Sequence, residues 1–215
     1  MHTTRESSVD DWLRALSAST GSPGGGAGAG VMLAIAAALT SMVAGYSEPQ
    51  AGQEAKLDAI LDRAAALRDD ALALADDDST ASGSFGAAFR LPKGEEREAA
   101  IRRASVAAAG TSAALGGRAV DAIDDLTWLA RHGNRALVAD VVVACGALRA
   151  AVSGARTNVS YDLGSLRSSS EDLEQIEREN PELWRSVKTF DAALARIDDL
   201  TAELDPRAAP TDVAL

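Results

Sequence analysis

Two aspartates interrupt apolar helical faces, and a carboxylate in such a position can carry out proton transfer. Asp78 lies four residues after Leu74 and seven after Ala71, so it continues the apolar stripe of a predicted helix. Asp140 lies three residues after Leu137 on a second such face. Burial raises the pKa of a carboxyl group because it disfavours the charged form, so both residues are candidates for acid–base catalysis near neutral pH. The alternative for each is a structural carboxylate that caps a helix or pairs with an arginine.

A glycine run precedes the most apolar helix of the chain. Pro23, Gly24, Gly25 and Gly26 stand directly before an uncharged, alanine-rich segment. The first backbone N–H groups of a helix have no partner inside the helix, so this start favours a negative charge or a hydrogen-bond acceptor. The alternative is a tight turn that allows close helix packing. No strand precedes the run and no Gly-Lys-Ser/Thr follows it, so it does not match a P-loop.

The remaining reactive side chains predict little chemistry. Cys145 stands alone in an apolar run, which is typical of a small core residue. His132, next to Gly133, is expected to interact with the C-terminal end of a helix. The other histidine, His2, falls in a predicted disordered tail. With two histidines and one cysteine, we predict no metal site, no Ser-His-Asp triad and no cofactor.

Helices must position these residues, because no segment alternates with a period of two for long enough to form a strand. Apolar spacing, glycines and prolines predict helices at 9–18, 27–45, 50–78, 95–109, 111–131, 135–158 and 171–204, with the last one divided near Pro181. We therefore predict an all-α fold, a multi-helix antiparallel bundle that forms a single domain over residues 1–215. Residues 1–8 and 206–215 are predicted to be disordered tails.

The helix at 27–45 is apolar in every direction, so it has to be covered on all sides. Gly30, Ala34 and Ala38 follow a small-residue spacing that lets another helix backbone come close, and we expect burial at a homodimer interface. Its length approaches that of a membrane span. It is nevertheless mostly alanine and glycine, it has no basic flank, and Ser-Glu-Pro follows at 47–49, so we do not predict a membrane helix.

Composition narrows the class of protein. The chain has 215 residues, of which 47% are apolar and only 4% aromatic, which favours closely packed alanine and leucine helices. Its net charge is −11 and its pI about 4.6, without an obvious basic stripe, so nucleic acid and membranes are not expected as partners. Residues 1–11 lack the apolar region of a secretory signal, and we expect a cytoplasmic protein.

Together these motifs resemble the cyclodeaminase/cyclohydrolase family, which comprises the cyclodeaminase part of formiminotransferase-cyclodeaminase and the methenyltetrahydrofolate cyclohydrolases. The resemblance covers roughly residues 9–204. Its motifs occur in the family's order and spacing, and they are Ser22-Pro23-Gly24-Gly25-Gly26, Met42-Val43-Ala44, Ala75-Asp76-Asp77-Asp78, Ala88-Phe89-Arg90-Leu91-Pro92-Lys93, His132-Gly133-Asn134 with Asp140, and Asn158-Val159.

The resemblance implies a dimeric helical bundle that binds a tetrahydrofolate derivative as substrate beside the glycine loop. It implies one of two reactions: closure of 5-formiminotetrahydrofolate with loss of ammonia, or opening of methenyltetrahydrofolate by water. Both pass through a tetrahedral carbon between two folate nitrogens and both need a proton carrier. Carried over by position, Asp78 is the acid/base and Asp140 the second carboxylate. The implied substrate-binding residues are Pro23, Gly24, Gly25, Gly26, Lys93, Asn134 and Asn158.

The chain departs from the family pattern near the implied site. Ala27 and Ala139 replace serines, Ser82 replaces an aromatic residue, Asp162 replaces an asparagine, and no lysine-rich segment follows Tyr46. Fewer cationic and aromatic groups weaken the binding of a flat, anionic folate. Two other functions therefore stay open: a catalytically inactive family member that serves as a dimeric helical binding protein, or an enzyme that acts on a non-folate substrate.

Overall fold

A computed structural model describes residues 3–19, 21–169 and 172–205. These residues are helical and contain no strand, which confirms the predicted all-α class. Short 3-10 turns at Arg135–Leu137 and Leu166–Ser169 flank the sixth helix. In chain order the helices are α1 (Val9–Leu16), α2 (Gly25–Gly45), α3 (Glu54–Phe89), α4 (Glu95–Asp121), α5 (Ile123–His132), α6 (Val138–Ser165), α7 (Leu173–Glu179) and α8 (Pro181–Leu204).

Helix α2 packs between α3 and α6 at backbone distance. A Cβ atom at Gly30 would lie 2.8 Å from the Cβ of Ala75 on α3, and one at Gly154 on α6 would lie 2.9 Å from the Cβ of Ala29. Carbon atoms repel at such separations, so glycine is needed at both crossings. Helix α4 packs on α3 and α6, and α8 covers another side of α6. Of the small-residue spacing on α2, Gly30 and Ala34 are buried within the chain, whereas Ala38 is exposed.

Neighbouring helices of this core run antiparallel. Asn134, just before α6, donates from Nδ2 to the carbonyl oxygen of Tyr46 at the end of α2 (3.0 Å), whereas Gly154, late in α6, meets Ala29, early in α2. Ser165, at the end of α6, shares a hydrogen bond of 2.8 Å with a serine in the first half of α4. The glycine-rich start of α2 therefore lies at the same end of the bundle as the end of α6.

The predicted end of α3 at Asp78 is wrong, because the helix continues to Phe89. Serine and threonine at 79–84 weaken a helix when their hydroxyls compete with the backbone. Here the hydroxyls of Ser79 and Thr80 donate to carbonyl oxygens four residues earlier, at 3.0 and 3.1 Å, while the helix continues past them. The side chains of Phe85 and Phe89 add a ring contact of 4.8 Å on one face. Asp78 thus lies inside a helix and is not at its end.

A second correction concerns α4 and α5. The expected break at Gly110 is absent, and the helix runs on to Asp121 before a division at Ala122. One glycine inside a helix costs only about 1 kcal/mol. Burial of the apolar neighbour Ala109 offsets part of this cost. The division before Pro181 is confirmed, since α7 ends at Glu179 and α8 begins with that proline.

Residues 3–8, which we expect to belong to a disordered tail, form a turn against α3. The backbone N–H and the hydroxyl of Thr4 donate to Oδ1 of Asp76 at 2.8 and 2.6 Å. Ser8 caps α1 by accepting a hydrogen bond from the backbone N–H of Asp11 at 3.1 Å. The rest of the predicted tails, 1–2 with His2 and 206–215, lies outside the described residues.

Helix α2 and the stretch Arg135–Ser165 are long and apolar enough to cross a membrane by length and composition alone. Core helices of bundles pass the same test, and 56% of the apolar window of α2 is buried inside this chain. A band of apolar side chains on the two helices stays exposed, including Met32 and Ile35 (42% each) and Val143 (58%). The prediction that α2 is covered on all sides is therefore not met within one chain.

Candidate active site

A cleft of about 190 Å³ opens beside the start of α2, with walls from α2, α3, α4 and α6. It brings together four of the predicted site residues, Gly25, Gly26, Asp78 and Asn158. The side chains and backbone that line it are those of Gly25, Gly26, Asp78, Ser82, Phe85, Ala108, Ser112, Asn158 and Asp162.

Asp78 is buried against the glycine run, as its position on the apolar stripe predicts, and is 7% exposed. Its Oδ2 atom is buried without a hydrogen-bond partner. A Cβ atom at Gly26 would overlap the Asp78 carboxylate, so glycine at this position is what allows the approach. The negative group that the N-terminal end of α2 favours is thus supplied by the chain itself.

Two effects oppose each other at the Asp78 carboxyl. Burial raises its pKa, because the charged form loses solvation. The backbone N–H of Ala27 and the hydroxyl of Ser82 lower it, since both donate toward the charged form. Burial is the larger effect, so the pKa of Asp78 lies above its ordinary value. An orphaned oxygen and a raised pKa together suit a group that gives or takes a proton.

Asp162 is a second carboxylate of the same cleft, and our sequence analysis did not select it as a site residue. Burial, with a smaller contribution from the charge of Asp78, raises the pKa of Asp162 to about 7. The signal was available in the sequence, because Asp162 lies four residues after Asn158 and eight after Gly154 on one face of α6. In the family resemblance, Asp162 appears only as a replacement for asparagine.

The cleft is electrostatically negative. Among the described residues that line it, two are carboxylates and none is basic. Across the described ranges, no group of three or more His, Cys, Asp and Glu side chains gathers as a metal-binding set. A ligand portion that carries positive charge therefore fits this cleft better than an anionic one.

Asp140 and Asn134 lie at the opposite end of the bundle. Asp140 is only half-buried and is 22 residues before Asp162 on α6, a separation of about 33 Å along the helix axis. Asn134 holds the end of α2: its N–H donates to the Ser47 hydroxyl oxygen at 2.9 Å, and its Oδ1 accepts from the Ala136 N–H at 3.0 Å. Within one chain, the carboxylate that lines the cleft together with Asp78 is Asp162 and not Asp140.

The other implied binding residues surround the cleft without lining it. Gly24 is the N-cap of α2, and Pro23 faces a separate cavity beside the N-terminal turn. Lys93 is exposed in the loop after α3, four residues beyond Phe89, and Phe89 itself lies about 16 Å along α3 from Asp78. Nη1 of Arg90, in contrast, lies 3.9 Å from the Cβ position of Gly86, which adjoins the cleft residue Phe85. Arg90 is thus nearer to the cleft in sequence than Lys93.

The cysteine and the described histidine have structural surroundings. Burial raises the pKa of the Cys145 thiol to about 11, so at neutral pH it is not a thiolate nucleophile. His132 contacts the carbonyl oxygen of Trp128 through Nδ1 at 3.0 Å and stacks on its ring at 4.9 Å. This is the C-terminal end of α5, as predicted for His132.

A second polar cleft lies between α3, α4 and α5, and its buried carboxylate is already paired. Arg63 donates to both oxygens of Asp125, at 2.6 and 2.9 Å. Asp125 is 6% exposed, and this two-point contact neutralises it. A paired carboxylate is not available for proton transfer, so the cleft beside Gly26 remains the candidate active site.

The fold defines the class to which the chain belongs. It is similar to formiminotetrahydrofolate cyclodeaminase from Thermotoga maritima, with a TM-score of 0.79, 20% sequence identity, and coverage of 93% of this chain and 96% of that one. At this identity the likeness concerns the fold alone. The sequence model of the formiminotransferase-cyclodeaminase family matches residues 8–180. The chain belongs to this family, which confirms the resemblance drawn from the motifs.

Two curated relatives are similar in sequence. Formimidoyltransferase-cyclodeaminase of Gallus gallus is 33% identical over 161 residues, which are 71% of this chain and 30% of that protein. The chain thus spans less than a third of its length. Methenyltetrahydrofolate cyclohydrolase of Methylorubrum extorquens is 30% identical over 159 residues, which are 70% of this chain and 76% of that one.

Proposed function

We propose that this protein is a folate one-carbon enzyme, either a formiminotetrahydrofolate cyclodeaminase or a methenyltetrahydrofolate cyclohydrolase. The observation that carries the proposal is Asp78, a buried carboxylate with an orphaned oxygen in a cleft at the glycine motif. Relatives named for each of the two activities support both versions. The two reactions need the same groups, so the cleft does not favour either one.

The charge of the cleft supports this substrate class. In both substrates the one-carbon unit is cationic: a protonated formamidine in one and a methenyl bridge between two nitrogens in the other. Asp78 and Asp162 supply negative charge where that unit would lie, and no basic side chain lines the described cleft to oppose it. The carboxylates would thus attract the reacting carbon and its nitrogens rather than the anionic tail.

Asp78 would act as the general base. In closure it would take the proton of N10 as that nitrogen attacks the formimino carbon. In hydrolysis it would take a proton from the attacking water. Both attacks give a tetrahedral carbon between N5 and N10. The N-terminal end of α2 and the Ala27 N–H favour the ionised form of Asp78, which is the form a base needs.

Two residues would compensate for the departures from the family pattern. Ser82 lacks an aromatic ring, but Phe85, one helical turn further along α3, lines the same cleft and offers a face for a flat ring. No lysine-rich segment follows Tyr46, but the guanidinium of Arg90 lies beside Gly86 near Phe85. We assign Arg90 to the anionic tail of the folate, with Lys93 as a more distant candidate.

We also propose that the enzyme is a homodimer whose second copy covers the exposed apolar band on α2 and α6. On α2 the band contains Met32 and Ile35, and on α6 it contains Val143 followed by Gly146 and Ala150. Exposed apolar side chains that form one surface are typical of a protein interface. The cleft of about 190 Å³ is smaller than the roughly 300–1,000 Å³ of a usual ligand pocket, so a wall from a second copy would complete it.

The proposed activity is tested with purified protein and both substrates. Loss of the near-ultraviolet absorbance of methenyltetrahydrofolate reports hydrolysis, and release of ammonia from 5-formiminotetrahydrofolate reports closure, each corrected for the uncatalysed rate. Asp78→Asn should lower kcat by about 10²–10⁴-fold. Asp77→Asn is the matched control, because it removes an exposed carboxylate one residue away. If the native protein converts neither substrate and neither raises its Tm, a non-catalytic binding role replaces this proposal.

The homodimer is tested separately by light scattering at micromolar concentration. We expect twice the chain mass of 22.1 kDa for the native protein and the single mass for Val143→Arg. A native particle of 22.1 kDa would refute the proposed dimer without affecting the assignment of Asp78.

A further inference from the structure

We propose that Asp162 is a second catalytic residue, which shares a single proton with Asp78 across the cleft so that one carboxyl acts as acid while the other acts as base. The inference rests on the proposed function for its substrate. In the family pattern an asparagine takes the place of Asp162, so the pair of carboxyls is a feature of this chain.

The geometry places both groups in one small, negative space. Asp78 enters from α3 and Asp162 from α6, and both line the same cleft. Oδ2 of Asp78 is an unpartnered atom of a residue that is more than nine-tenths buried. The hydrogen bond from the Ser165 hydroxyl to Asp162 at 2.6 Å goes to the backbone carbonyl oxygen of Asp162 and not to its carboxylate. Two neighbouring carboxylates without cationic partners repel each other, and a shared proton relieves that repulsion.

No other titratable group lines the cleft in the described residues. Helix α2 contributes Gly25 and Gly26, and α4 contributes Ala108 and Ser112. Besides the two aspartates, α3 adds Ser82 and Phe85 and α6 adds Asn158, all of them uncharged. The protonation of the cleft at neutral pH is therefore a property of this pair alone.

The surroundings decide which carboxyl keeps the proton. Asp78 faces the Ala27 N–H and the Ser82 hydroxyl, and both favour its ionised form. Asp162 has no such donors, and the negative charge of Asp78 adds to its burial in raising its pKa to about 7. The surroundings therefore favour the charge on Asp78 and the proton on Asp162. Opposite roles for two carboxyls follow from their different environments.

In the closure reaction this arrangement balances every proton. N10 attacks the carbon of the protonated formimino group, and the carbon–nitrogen double bond becomes a single bond to a terminal NH₂. Asp78 takes the N10 proton, and Asp162 gives its proton to the NH₂ group. The bond from carbon to that nitrogen then breaks, ammonia leaves, and the N5–C–N10 methenyl cation remains. Transfer of the proton from Asp78 back to Asp162 restores the starting state.

The pair is tested first without substrate, by ¹³C NMR of protein labelled at the aspartate carboxyl carbons, titrated between pH 4 and 9. The native protein should show a carboxyl that titrates near pH 7. Asp162→Asn should remove it, Asp77→Asn should keep it, and Asp78→Asn should move the Asp162 titration to lower pH, because the repulsion is gone. A native protein with no carboxyl titrating above pH 5 would overturn the inference, whether or not the protein is active.

The second measurement is the pH dependence of kcat for the native protein and Asp162→Asn. For Asp162→Asn we expect a kcat at pH 7 that is at least tenfold lower than that of the native protein, and a KM within threefold of the native value. The pH profile of the variant should lack the apparent pKa near 7. Equal kcat values and superimposable pH profiles would overturn the catalytic role of Asp162. A native protein that shows the NMR titration but converts neither folate would contradict the proposed function and leave the shared proton in place.

Discussion

The two ends of the α2–α6 pair use polar residues in opposite ways. Where α2 ends and α6 begins, the amide groups of Asn134 and the hydroxyl of Ser47 have partners at 2.9–3.0 Å, and these hydrogen bonds join the two helices. At the glycine end, a buried oxygen of Asp78 has no partner and Asp162 faces it across a cleft. Satisfied polar groups stabilise a fold, whereas orphaned ones in a cleft mark where a ligand acts. The contrast separates motif residues that hold the fold from those we propose to act on the substrate.

Apart from changes to the two carboxyls themselves, the largest expected effect comes from Gly26→Ala at the glycine end. The new Cβ would overlap the Asp78 carboxylate, so the carboxylate must move away from the start of α2. We expect kcat to fall by about 10²-fold, because a base displaced by about 1 Å loses its geometry, and stability to fall by about 1–3 kcal/mol from overpacking.

Gly28→Ala is the matched control for Gly26→Ala. It lies two residues further along α2, and a Cβ there meets no atom within 4 Å. Chemical denaturation should show that this variant is as stable as the native protein or more stable by about 0.4–1 kcal/mol. Equal kinetics for the two alanine variants would mean that the contact of Gly26 with Asp78 is not needed for activity.

Next in size is the pH dependence of stability at the same end. The folded-state pKa of Asp162 is about 7, above the ordinary value of 3.8, so its destabilising effect is absent below about pH 4 and complete above about pH 7. Each unit of pKa shift corresponds to about 1.4 kcal/mol of unfolding free energy, and the partial exposure of Asp162 reduces this effect. We therefore expect Asp162→Asn to raise the free energy of unfolding by about 2 kcal/mol at pH 8. Urea unfolding of the native protein and the variant at pH 4 and pH 8 measures this difference. A stabilisation of the same size at both pH values would contradict the raised pKa of Asp162.

At the structural end, Asn134→Ala should lower stability by about 1–2 kcal/mol, because the Tyr46 carbonyl and the Ala136 N–H lose their partner. Activity per folded molecule should stay within twofold of the native value. Thermal unfolding and a kcat measurement test both parts. A fall in kcat comparable to that of Asp78→Asn would show instead that Asn134 reaches an active site, as the resemblance implies.

The smallest expected effect concerns the rim of the cleft. Arg90→Met should raise KM for a folate substrate about three- to tenfold and leave kcat unchanged. The reason is that a contact with the anionic tail stabilises the bound substrate and the transition state by the same free energy. Steady-state kinetics of Arg90→Met and Lys93→Met would show which of the two cationic side chains contributes more to substrate binding. A larger KM effect for Lys93→Met would restore Lys93 as the tail-binding residue.

Much of this arrangement follows from local sequence. The spacing of Asp78 from Leu74 and Ala71 predicts its burial, and the glycine run predicts a helix start that favours a negative group. The identity of that group was not predictable, because it depends on how α3 crosses α2. The expected end of the helix at Asp78 is wrong for a related reason. A serine-rich segment predicts a loop, but the Ser79 hydroxyl forms its hydrogen bond within the helix, which the sequence does not show.

The position of Asp140 away from the cleft has a similar cause. Asp140 and Asp162 lie on the same helix, 22 residues apart. Only the packing of α6 against α2, fixed by the contact of Gly154 with Ala29, decides which one approaches the glycine run. Periodicity along one helix carries no information about which end meets which neighbour.

The two crossings of α2, at Gly30 and at Ala29, have a mechanical consequence. With backbone in contact on both flanks, a shift of α2 by one residue or a turn about its axis would bring side chains into each crossing. The wall that α2 contributes to the cleft is therefore fixed before any molecule arrives. A ligand would then bind without first having to order that wall, and more of its contact energy would appear as affinity.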